Sequence, residues 1–179
     1  MHDPIKMLFD EHAIIVNAVD VARQASSLIG RNDEQYEKIT RDLIYFFRNY
    51  ADKFHHHKEE EILFPEMEKK NELLADGVIK EMFDNHEDFR EKIRNIEKHL
   101  DGKEFAKAQH QLENYAEALL DHIAVENDEV FQMAETIFDD TELQKIYFRF
   151  EDCDSALDKD KKKQLVERIE KIRKELMIS

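Results

Sequence analysis

The chain has 179 residues, 39% of them charged, a formal net charge of −15 and no linker rich in Pro, Gly or Ser, which fits one compact unit able to bury a core without disulfides. Such an excess of carboxylates argues against a nucleic-acid partner, whose phosphates need a basic surface to displace counterions. Three glycines, two prolines and a single cysteine, Cys153, leave helix favoured almost throughout and no intramolecular disulfide available, so the predicted class is all-α.

The opening stretch, MHDPIKMLFDEH, lacks the charged start and apolar core of a signal peptide, and no apolar run reaches the ~20 residues of a membrane span. A cytoplasmic location with no membrane partner is therefore expected. Pro4 can open a first helix whose apolar positions Ile5, Leu8, Ile15, Val19, Ala22 and Ile29 recur at helical spacing, with Gly30 closing it as a left-handed cap. Asn32 and Asp33 offer an N-cap to a second helix carrying Ile39, Leu43, Phe46, Phe47, Tyr50, Phe54 and Leu63, and Pro65 is expected to interrupt it. Asp76-Gly77 and Asp101-Gly102 bracket a third helix from Val78 to Leu100. A fourth runs from Glu104 to Phe138, where Asp139-Asp140-Thr141 stops it. Four long helices with short connections predict an antiparallel up-down bundle over 1–139. A C-terminal helical extension over 140–179 would pack on the bundle or on a partner, with a short helix from Leu143 to Cys153 and a stripe of Leu165, Ile169, Ile172 and Leu176. Within it, the basic run from Lys159 to Lys163 is read as a solvated face, and no catalytic side-chain cluster is expected.

The second helix contains FHHHKEEEILFP, in which three registers place an imidazole and a carboxylate four residues apart on one face: His55 with Glu59, His56 with Glu60, or His57 with Glu61. The fourth helix selects among them. Its segment DHIAVENDEVFQ holds one such pair, His122 with Glu126, and a shift of 67 residues lays His122 on His55, Glu126 on Glu59 and Phe131 on Phe64. FDEH ending at His12 likewise resembles FDNH ending at His86, so the chain reads as two copies of a helix pair. His12, His55, Glu59, His86, His122 and Glu126 are six candidate metal ligands.

Their heights agree. At about 1.5 Å per residue, His12 lies roughly 27 Å before Gly30 and His55 roughly 33 Å after Asp33. On the same scale His86 lies roughly 24 Å before Gly102 and His122 roughly 30 Å after it, so all six groups can occupy one layer. Four imidazoles and two carboxylates buried together need a cation, and mixed His/carboxylate ligation suits iron or manganese better than a closed zinc site. The ferritin-type Glu-x-x-His pattern is absent, because no histidine has Glu three residues before it. His86-Glu87 is followed by Arg90 at the position where a zinc-protease HExxH motif needs its second histidine.

This order of motifs, a single His, HHHKEEEILFP, a second single His and HIAVENDEVF, resembles the hemerythrin-like proteins of the H-HxxxE-H-HxxxE type over Lys6 to Phe138. The resemblance implies an antiparallel four-helix bundle around two non-haem irons with an oxo or hydroxo bridge, the two glutamates bridging as well. Oxygen-carrying hemerythrins have His-x-x-x-His on the third helix and His-x-x-x-x-Asp on the fourth, whereas Arg90 and Asn127 stand at those places here. The six ligands and an oxo bridge fill about ten of roughly twelve positions on two octahedral irons, leaving about one open on each. The implied function is binding of O2 or a related small ligand, peroxide or NO. The alternatives are an enzyme for peroxide breakdown or NO reduction, and an iron or redox sensor or iron-delivery protein acting through an unidentified protein partner. His56 and His57 are read as facing solvent or supporting the site, and His2, His99 and His110 as surface groups. Tyr115, Phe47, Phe64, Phe83 and Phe131 are read as core.

Overall fold

The computed structural model describes residues 3–178 as six helices and no strand. Helix α1 (Pro4–Ala25) starts where Asp3 accepts the backbone N–H groups of Ile5 and Lys6, and it runs into a 3₁₀ turn, Ser26–Leu28. Gly30 then takes the left-handed conformation (φ +75°) and Asn32 caps α2 through the N–H of Gln35. Helix α2 is a continuous run over 33–70. It consists of an α segment Asp33–Phe46, two π-helical stretches, Phe47–His56 and Glu59–Leu63, and a terminal α segment Phe64–Lys70. Helix α3 spans Val78–Asp101. Helix α4 runs over 105–137 as Phe105–Val125, a π stretch Glu126–Val130, and Phe131–Ile137.

The expected break at Pro65 does not occur. A proline inside an α-helix lacks a donor and clashes with the carbonyl four residues back. Here the preceding turn is π-helical, with the Phe64 N–H donating to Glu59 O five residues back, so the helix is already widened where Pro65 enters and passes through it.

Helices α1 to α4 pack as the expected bundle, and the polar layer divides its core. One apolar cluster, including Ile5, Leu8, Phe64, Met82, Phe131 and Phe150, lies on one side. A larger one, including Ile15, Phe47, Phe54, Phe89, Tyr115 and Leu119, lies on the other. Beyond the bundle, α5 (Asp140–Ala156) begins at a capping box between Asp139 and Glu142, and α6 (Lys159–Ile178) follows. Phe150 and Ile146 of α5 join the first cluster; Leu165, Ile169 and Ile172 of α6 join the second. Both C-terminal helices therefore help to seal the core. No helix among the described residues is long and apolar enough to cross a membrane.

Candidate metal centre

All six predicted ligands are buried and meet in the layer between the two apolar clusters. His12 and His55 turn their Nε2 atoms toward each other at 2.8 Å, and His86 and His122 do the same at 3.1 Å. Because each ring holds its proton on Nδ1 toward an outer acceptor, the facing Nε2 atoms present lone pairs, which repel at such distances unless a cation lies between them. Cis ligands bonded at about 2.1 Å would stand about 3 Å apart.

The two carboxylates link the histidine pairs. Glu59 places Oε1 3.4 Å from His55 Nε2 and Oε2 3.7 Å from His86 Nε2. Glu126 places Oε2 3.1 Å from His12 Nε2 and Oε1 3.2 Å from His122 Nε2. Each carboxylate thus offers one oxygen to each pair, as a bridging ligand does. All four oxygens are buried without a hydrogen-bond partner among the described residues. Buried anions in that condition are costly unless a cation joins them, so the donor set fits a metal pair.

Electrostatics point the same way. Burial, reinforced by neighbouring imidazoles, holds His55 down at about 3, where it is a neutral donor ready to ligate. Burial also pushes Glu59 well above the ordinary carboxylate range, Glu126 beside it adding to the effect, whereas Glu126 is drawn well below that range because His122 and His12 outweigh its burial. Two carboxylates sharing a dry site cannot both ionise comfortably until positive charge arrives.

The outer ring nitrogens are held in a pattern that repeats with one exchange. With Nε2 turned inward, Nδ1 carries the proton: His55 donates to Glu11 Oε2 (2.9 Å), His12 to Asn127 Oδ1 (2.8 Å) and His86 to Glu60 Oε1 (2.7 Å). His122 Nδ1 lies 3.4 Å from the Asn85 amide, which accepts its proton when turned to present oxygen. Glu11 and Asn85 precede equivalent histidines, and Glu60 and Asn127 follow equivalent glutamates. Each facing histidine pair therefore has one carboxylate and one amide partner, on opposite histidines, the first repeat supplying both carboxylates and the second both amides. Sequence comparison stopped at the ligands and missed these four residues. The signal was the E/N exchange one residue from each aligned ligand.

Cations brace both outer carboxylates. Arg90, in the place of the third-helix histidine of oxygen carriers, donates through Nη2 to Glu60 at 2.9 Å and through Nε to Asp52 at 2.8 Å. Glu11 receives Lys58, which is fully buried, and Lys162 of α6; both lysines also reach Asp154 of α5. Burial alone would raise Glu11, but its bond to His55 and the charges of Lys58 and Lys162 hold it well below the carboxylate range. One expectation is corrected here. The lysine run is not wholly a solvated face, because helical winding turns Lys162 inward, and the extension supplies Asp154 and Lys162 to a buried ion-pair cluster.

Of the two places expected for His56, solvent or a supporting position, it takes the second: it is buried, and its ring stacks on His86 at 3.8 Å and 12°. Neither ring nitrogen has a hydrogen-bond partner among the described residues, although one lies 3.6 Å from Asp52 Oδ1. A nitrogen of His56 falls within 4.8 Å of donor atoms of His86 and His122. His57 is exposed, as is His110; His99 is half-buried and meets Glu104, and His2 lies outside the described residues. Tyr115 packs edge-on against Phe47 and Phe89 in the core, and Phe89 in turn touches the His122 ring. Phe131 stacks on His12 and Phe64 on His86, so the two repeat-related phenylalanines wall the repeat-related single histidines.

A four-helix bundle carrying four inward imidazoles and two bridging carboxylates defines a metal-binding bundle protein. The hemerythrin HHE cation binding domain matches residues 3–134, and the chain belongs to that family. No curated protein and no solved structure matches the chain.

Proposed function

We propose that the chain is a non-haem di-iron protein that binds O2 or a related small ligand, peroxide or NO, through His12, His55, Glu59, His86, His122 and Glu126. The observation that carries this reading is the set of four unpartnered carboxylate oxygens, each directed at one of two facing imidazole pairs. Bound there, two irons supply open coordination positions and electrons for a diatomic or peroxide ligand. The protein's own residues orient and shield: Glu11, Glu60, Asn85 and Asn127 fix the ring tautomers, while Phe64 and Phe131 exclude water from the single histidines. Mixed nitrogen and carboxylate donors with no thiolate favour iron, with manganese or zinc less suited. The half-buried free thiol of Cys153 is in keeping with a reducing, cytoplasmic setting.

The test is metal analysis of protein purified without a histidine tag, followed by anaerobic reduction and optical spectra before and after air. Near two irons per chain with a new charge-transfer band on oxygenation is the expected result. A metal-free or singly zinc-loaded protein with no oxygen response refutes it. A second reading, an iron or redox sensor, is favoured by the path from His55 through Glu11 to Lys162 and Asp154 of the C-terminal helices. On that reading, proteolysis of α5 and α6 changes with iron content; equal cleavage with and without iron excludes it.

A further inference from the structure

Helices α2 and α3 part on one face of the bundle to leave a cleft of about 620 Å³ that ends beside the metal layer. Its floor is apolar: Phe47, Phe89, Ile93 and Tyr115 are all buried. At its inner end stands His56, stacked on the ligand His86.

The rim carries charge of the opposite sign to the chain as a whole. Arg48, Lys53, Arg90, Arg94 and Lys161 line it against one carboxylate, Asp52, in a protein of net charge −15. Arg48 is occupied by Glu97, and Arg90 by Asp52, Glu60 and Glu87. Lys161 has only the amide oxygen of Asn49 and the face of Tyr45. Lys53 and Arg94 make no ion pair among the described residues. Three cations thus remain without a counter-charge above an apolar floor. The larger groove of about 730 Å³ between α2 and α6 is different: it lies away from the centre, and its four carboxylates nearly balance its three cations.

We propose that the cleft beside His56 is a binding site for a small organic acid, its aromatic or aliphatic body on the Phe89–Ile93–Tyr115 floor and its carboxylate among Lys53, Arg94 and Lys161. The volume lies within the ~300–1,000 Å³ of small-molecule sites, and convergent cations over an apolar floor suit an amphipathic anion better than a neutral or cationic molecule. An acid bound there rests against His56 and hence against the His86 side of the centre. That last consequence depends on the di-iron reading; binding itself does not.

The test titrates the full chain, both metal-free and iron-loaded, with 1-naphthoate and with the neutral 1-naphthalenemethanol, followed by ligand fluorescence. Naphthoate is expected to saturate at least about tenfold more tightly than the alcohol in both forms. The double variant Lys53→Glu/Arg94→Glu, at two exposed positions, is expected to weaken naphthoate by about tenfold or more and to leave the alcohol unchanged. Equal affinity for acid and alcohol, or undiminished naphthoate binding in the variant with its helical circular dichroism intact, overturns the proposal. In the iron-loaded protein, naphthoate is expected to shift the charge-transfer band, and binding without such a shift overturns the placement against His56. Naphthoate binding by a protein that takes up no iron supports the cleft and refutes the di-iron reading, so the two fail separately.

Discussion

Glu59 and Glu126 occupy equivalent places in the repeat, and each spans both histidine pairs. On the di-iron reading, removing either carboxylate takes a donor from both ions at once. Glu59→Ala and Glu126→Ala are therefore each expected to lose at least one metal equivalent, whereas His57→Ala, on an exposed side chain, retains nearly full occupancy; metal analysis of the three variants decides. Acid should destabilise the metal-free protein. Burial holds His55, His56 and His86 at about 3 against an ordinary 6.5, so between those values the unfolded chain binds more protons than the native one and stability is lost as pH falls. Glu59, raised, acts in the opposite sense above its ordinary 4.5, but it is one group against three. Denaturant melts from pH 7 to 4 are expected to show a steadily falling midpoint, and a flat or rising one contradicts this. The convergence of the six candidate ligands was legible in the sequence because a repeat fixes register without coordinates. For His56 the choice between solvent and a supporting position stayed open, because a divergence of about 100° between successive residues assumes α-helical winding. His56 closes a π-helical stretch, whose i→i+5 bonds turn the chain less per residue, so both His55 and His56 can face inward.

At the scale of helices, the repeat extends to the backbone. The Phe64 N–H donates to Glu59 O and the Phe131 N–H to Glu126 O, so a π turn follows each bridging glutamate at the same place in both halves. The widened turn sets Glu60 and Asn127, the next residues, against the outer nitrogens of His86 and His12. Asn32 caps α2 as its residue type led one to expect, whereas Asp139, read as the stop of α4, also caps α5, which therefore spans Asp140–Ala156 rather than the shorter Leu143 to Cys153. Continuity through Pro65 did not follow from the sequence, since propensity describes α-helix and is silent on a π turn that accommodates a proline. Pro65→Ala is accordingly expected to change stability by less than about 1 kcal/mol, not the ~3 kcal/mol attached to proline in an α-helical interior. Thermal melts of the two proteins measure this directly.

Across the whole molecule, the C-terminal helices cover both apolar clusters and place Asp154 and Lys162 within a buried quartet with Glu11 and Lys58. The quartet balances two carboxylates against two ammonium groups, and removing one member leaves a buried charge uncompensated. Asp154→Ala is expected to cost roughly 3–5 kcal/mol by chemical denaturation, with most helical signal retained in the native state. A loss below about 1 kcal/mol would place the quartet in water rather than in the core.

The sequence by itself determined the helical class, the bundle and a set of six candidate ligands, since helical period, capping residues and an internal repeat are local or self-referential signals that a one-dimensional chain carries in full. Tertiary structure alone decided what surrounds those ligands: the pairing of Glu11 with lysines 47 and 151 residues away, Arg90 as the brace of Glu60, and a cationic cleft drawn from separate helices. Those contacts depend on how helices rotate and cross, which is set by the packing of the entire core and leaves no periodic trace in any one segment.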